Sequence, residues 1–171
     1  YMPFLFPFSL SLQAGVWEEC LFRAVPIATL LLIGIKYKRP SLALWVILPL
    51  QAIIFGIAHA NYPQQPFYIR TLEMFLPFFL YGVFYIYYGL IPCIISHYLF
   101  DVYQMSLIIF NMDTPMIWVQ KVCSILCLLV PILIVIRAKI ATKSLIGLPV
   151  PEKHLNKNWQ KNQAPTPMQV T

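Results

Sequence analysis

Residues 12–35, LQAGVWEECLFRAVPIATLLLIGI, are an apolar run long enough to cross a bilayer as a helix, which takes about 20 residues. Inside it, WEECLFR at 17–23 sets two carboxylates and a guanidinium within two helical turns. Each such group costs on the order of 3 kcal/mol near the middle of a bilayer, so Glu18, Glu19 and Arg23 cannot face lipid. At 100° per residue Glu19 and Arg23 stand about 40° apart on the helix surface and can pair, while Glu18 points about a quarter-turn away toward a different partner. The run therefore reads as a membrane helix with one face turned into a polar protein interior.

The rest of the chain agrees with that frame. Of 171 residues, 60% are hydrophobic and 15% aromatic, and the 11% that are charged fall well below the roughly 25% of soluble domains. The net charge of +6 lies between apolar runs and near the C-terminus, as membrane-flanking charge does, and argues against a nucleic-acid partner. Cys20, Cys93, Cys123 and Cys127 sit in apolar runs without a CxxC pair and read as small fillers.

Five stretches have spanning length: 12–35, 42–60, 71–88, 90–110 and 117–136. KYKRPS, NYPQQP, YYG and NMDTP separate them as basic or polar turns, and prolines 26, 49, 77, 92 and 131 fall inside apolar runs, where a membrane helix can kink without breaking. The expected fold is an all-α, polytopic transmembrane helix bundle of about five spans. It divides into a membrane core over 1–143 and a disordered basic tail over 144–171; the chain opens on Tyr1, so the core is expected to lack N-terminal sequence. Lys36, Lys38, Arg39, Arg137, Lys139 and Lys143 fall on one side, so the positive-inside rule puts the tail in the cytoplasm. The expected location is the cell (plasma) membrane.

Two further spans carry polar side chains at helical spacing. The second ends FGIAHA, with Phe55 and His59 four residues apart; the fourth contains HYLFD, with His97 and Asp101 at the same interval. Antiparallel neighbours bring the start of the first span and the end of the second to one side of the membrane, and His97 and Asp101 lie near mid-bilayer by helical rise. Each pair has an ordinary reading: a structural ion pair for Glu19 and Arg23, a helix-end cap for His59, an oriented imidazole for His97, core packing for Phe55. Arg70 and Glu73 fall near a predicted interface, where solvation is the default. The ordinary readings leave unexplained why three spans carry polar pairs at one spacing.

In this order, EExxxR at 18–23, FxxxH at 55–59 and HxxxD at 97–101 resemble the motifs of the CPBP (CAAX prenyl protease type 2 and bacteriocin-processing, also called ABI) intramembrane proteases, over about residues 14–105. The resemblance implies a glutamate-dependent endopeptidase. Glu18 with His59 would activate a water, Arg23 would hold the pair Glu18 and Glu19, His97 and Asp101 would line the oxyanion site, and Phe55 would shape the substrate pocket. An ionised Asp101 would repel an oxyanion, so it is either protonated or only orients His97. The implied partners are the lipid bilayer and a peptide or protein substrate, prenylated or not.

No cofactor is expected, since the HExxH helix of zinc peptidases is missing; zinc held by His59, His97 and Glu18 is the alternative. The rival function is a non-catalytic membrane scaffold or an ion or solute carrier using the same polar pairs. A carrier predicts an internal repeat and a polar path through both leaflets, and the sequence has neither.

Overall fold

The computed structural model describes residues 2–61, 66 and 68–142, and every regular element among them is a helix. The order is α1 (Leu5–Glu19), a π-helical turn (Cys20–Ala24), α2 (Val25–Lys36), α3 (Pro40–Ala58), α4 (Tyr68–Tyr88), α5 (Leu90–Phe110) and α6 (Ile117–Thr142). Four helices are long and apolar enough to cross a membrane: Pro40–Ala58, Tyr68–Tyr88, Leu90–Phe110 and Ile117–Ala141. The first expected span is also helical throughout, but a π turn inside it separates α1, of 15 residues, from α2, of 12. The tail expected over 144–171 lies outside the described residues.

Proline explains that division. Pro26 follows the π turn and has no N–H for the carbonyl of Phe22, and its ring crowds that carbonyl. Widening the preceding turn relieves both problems, and single π turns of this kind recur at functional sites. At the other end the helix begins at Leu5, earlier than the expected Leu12, because Pro7 falls in the first turn, where its missing N–H costs little. The turn between α4 and α5 is a single residue, Gly89, at φ 82°, a left-handed conformation that a side chain would strain.

Contacts divide the chain into one unit ending at Pro131 and a second beginning at Ile132, whose described part is the end of α6. The first unit has an inverted polarity. Its fully buried side chains include Ser11, Glu19, Arg23, Gln51 and Ser106, whereas Leu32, Trp45, Tyr87 and Ile108 are all at least 66% exposed. In water so much exposed apolar surface would drive aggregation; in a bilayer it faces acyl chains and costs nothing. Apolar packing of Ile27 against Ile47 and Leu48 joins α2 to α3. With hydrocarbon outside, the remaining cohesion comes from close packing and buried polar contacts.

Two contacts set the frame of the polar interior. A Cβ on Gly15 would lie 3.0 Å from the Ile94 carbonyl oxygen, so its absence lets α1 press directly on α5. Ser11 meets Met105 on the same pair of helices, which fixes them as antiparallel. On the other side, the Gln51 amide donates to the carbonyls of Leu48 (3.0 Å) and Phe78 (2.8 Å), tying α3 to α4.

Candidate active site

The close approach at Gly15 brings the end of α1 level with the middle of α5. There the carboxylate of Glu19 accepts a hydrogen bond from His97 Nδ1 at 2.6 Å, and the same Oε1 lies 3.2 Å from Arg23 Nη1. Glu19 and Arg23 are both 0% exposed. The guanidinium rests against two stacked rings, 4.5 Å from the centroid of Phe55 and 4.6 Å from that of Phe78, with Tyr81 at 5.7 Å. A desolvated cation beside aromatic faces gains up to about 2 kcal/mol from each good contact, which offsets part of its burial. Glu19, Arg23, Phe55 and Phe78 thus form a dry layer, and Glu19 fixes the ring of His97.

Glu18 serves a different layer. Its side chain is 22% exposed, and Oε2 lies 3.7 Å from His59 Nε2 and 3.8 Å from His97 Nε2. His59 occupies the C-terminal cap of α3, where Nδ1 is 2.8 Å from the Phe55 carbonyl oxygen and the imidazole stacks on the Phe55 ring at 4.3 Å. A carbonyl can only accept, so Nδ1 donates and Nε2 is turned toward Glu18. On α5, His97 Nε2 also has Asp101 Oδ2 at 3.4 Å. Separations near 3.7 Å exceed a direct hydrogen bond and suit a water bridging the two groups.

These groups open on a cavity of about 550 Å³, lined by Glu18, His59, His97 and Asp101 together with Leu10, Ile108, Arg70 and Glu73. All six ionisable or polar residues singled out by their spacing lie at this locus, with Glu18, His59, His97 and Asp101 lining the cavity and Glu19 and Arg23 behind it. Phe55 is fully buried and backs His59 and Arg23 from beneath. Sequence reasoning missed Phe78, Tyr81 and the cavity position of Arg70 and Glu73. The sequence shows that 70, 73, 74, 77, 78 and 81 share one helical face, but only the packing of α4 turns that face to the cavity. Among the described residues no three His, Cys, Asp or Glu side chains group as a metal-binding set.

Over residues 1–103 the sequence matches a family described as "Type II CAAX prenyl endopeptidase Rce1-like". The chain belongs to this family. The match contains the EExxxR, FxxxH and HxxxD segments and supports the resemblance to the CPBP proteases drawn from them. No curated protein and no solved structure matches the chain. Family membership places the Rce1-like chain among the CAAX-type intramembrane proteases, hydrolases that act on peptide or protein substrates in a membrane setting. Together with its apolar helices, it makes the chain an integral membrane protein.

Proposed function

We propose that this Rce1-like chain hydrolyses a peptide bond with a water activated by Glu18 and His59, without a metal. The observation that carries the reading is the placement of Glu18 Oε2 at 3.7 and 3.8 Å from the Nε2 atoms of His59 and His97, on the wall of a cavity of about 550 Å³. A water between Glu18 and His59 gives one proton to the carboxylate as its oxygen attacks the scissile carbonyl, and its second hydrogen bonds to His59 Nε2. Glu18 then returns the proton to the departing amine as the C–N bond breaks. His97, as an imidazolium with Nδ1–H on Glu19, donates Nε2–H to the oxyanion, and Asp101 at 3.4 Å orients that ring. Glu19 and Arg23 hold His97 in place.

The test is cleavage of a prenylated CAAX-box peptide and its unprenylated counterpart by the purified chain in lipid, with and without chelator. Cleavage that survives chelation and is lost in Glu18→Gln supports the reading. Chelator-sensitive cleavage restored by zinc, or undiminished cleavage by Glu18→Gln, counts against it. Preference for the prenylated peptide would extend the reading to a prenyl substrate.

The proposed orientation in the plasma membrane rests on charge. Lys36–Arg39 lies at the opposite end of α3 from His59, so cytoplasmic basic residues put His59 nearer the other face. A cytoplasmic CAAX terminus requires the reverse. Labelling Lys38→Cys in sealed vesicles from each side decides between them.

A further inference from the structure

We infer that the amide of Gln104, on the cavity face of α5, hydrogen-bonds the main chain of the bound peptide a few residues from the scissile bond. This deepens the peptidase reading above and rests on it. The first observation is position. At 100° per residue His97, Asp101, Gln104 and Ile108 fall within an arc of about 60° on α5, and all of them line the cavity. The buried side of the same helix, with Tyr98, Val102, Ser106 and Ile109, stands about a third of a turn away. α5 thus presents a polar strip to the cavity that runs from His97 through Asp101 to Gln104 and ends at Ile108.

The second observation is that the fold does not use this amide. Glutamines on other helices tie elements together: Gln51 donates to the carbonyls of Leu48 and Phe78, and the Gln120 side chain accepts from the Phe4 N–H at 3.4 Å. Among the described residues Gln104 has no such partner. An amide on a membrane helix is costly to leave unbonded, and on a cavity wall a ligand can supply the bond.

The chemistry of the ligand completes the argument. A peptide that leaves water for this cavity needs partners for its N–H and C=O groups. Leu10, Ala14, Met74, Pro77 and Phe100 offer no side-chain partner. Glu18, His59, His97 and Asp101 are assigned to the reaction, and Arg70 and Glu73 lie 3.7 Å apart and are engaged further within the protein. A primary amide holds an acceptor oxygen and two donor hydrogens side by side, which match the N–H and C=O of an extended chain. Seven residues at 1.5 Å each put Gln104 about 10 Å from His97 along α5, the length of about three extended residues.

The experiment uses the full chain in lipid, a prenylated CAAX-box peptide, and analogues in which one linkage near the scissile bond, but not that bond itself, is an ester. An ester lacks the N–H and is a weaker acceptor. Affinity is read as Kd on Glu18→Gln, alone and combined with Gln104→Met, which keeps the length of the side chain and removes its hydrogen bonds. One ester should weaken binding to Glu18→Gln by about 3- to 10-fold, Gln104→Met should weaken the parent peptide by a similar factor, and the ester should then cost the combined variant almost nothing more. In turnover Gln104→Met should raise KM by that factor, and Gln104→Glu, whose oxygens still accept, should keep part of the preference for peptide over ester. Unaltered affinity in Gln104→Met overturns the proposal. So does an ester penalty that persists undiminished in the combined variant, because a glutamine acting only on the fold would weaken peptide and ester alike. Absence of turnover counts against the peptidase reading, whereas the Kd comparison still decides the role of Gln104.

Discussion

Glu18 and Glu19 are adjacent in the chain, yet they belong to two regions that differ in almost every physical respect. Glu19 is sealed from solvent, ion-paired to Arg23 and hydrogen-bonded to His97. Glu18 reaches the cavity and touches its partners only at water-bridging distance. The difference comes from the quarter-turn between successive helical residues, which sends one carboxylate into the packed seam with α5 and the other toward the cap of α3. On the proposed mechanism the dry region sets geometry and carries stability, and the wet region does the chemistry. His97 belongs to both, through Nδ1 on one side and Nε2 on the other.

Substitutions in the dry region should test this division most strongly. Glu19→Leu leaves Arg23 buried without its counter-charge and is expected to cost about 3–5 kcal/mol, read as a large drop in thermal midpoint in detergent or nanodiscs. Arg23→Leu should do the same by stranding Glu19, and the double variant should recover part of the loss, since an apolar pair strands neither charge. A fall in activity without a fall in melting temperature for either single variant would break the comparison. In the wet region, His59→Ala should lower kcat by about a hundredfold, with a fall in melting temperature smaller than that of Glu19→Leu from the lost stack on Phe55 and the lost bond to its carbonyl. Asp101→Asn should have a smaller effect, about tenfold or less in kcat, since an amide oxygen can still accept from His97. Smallest is Gln51→Leu, which removes the link from α3 to the Phe78 carbonyl and should cost about 1 kcal/mol of stability.

Much of this arrangement was legible in the sequence, and the reason is the membrane. Charged groups in apolar runs are so costly that their presence at 18, 19, 23, 97 and 101 already implied a shared interior, and helical spacing gave their pairing. The fourth span, 90–110, matches α5 residue for residue because Gly89 and the polar NMDTP bound it sharply. Helix ends without such signals shifted: the first began at Leu5, and α4 at Tyr68. The π turn was not legible, since spacing arguments assume a uniform 100° per residue and Pro26 alone does not say how the chain will absorb it. Nor was the aromatic support of Arg23. Phe78 is one of a dozen phenylalanines in the chain, and only the pairing of α3 with α4 selects it. Arg70 and Glu73 looked solvated because position along a span says nothing about which face meets a cavity.

The most direct test of the account compares Glu18→Gln with Glu19→Gln in the same lipid preparation, measuring peptide turnover and thermal midpoint for each. Glu18→Gln should keep the wild-type midpoint and lose turnover by about a thousandfold or more, while Glu19→Gln should melt well below the wild type. Wild-type turnover in Glu18→Gln, or an unchanged midpoint in Glu19→Gln, would contradict the division of labour between the two neighbours.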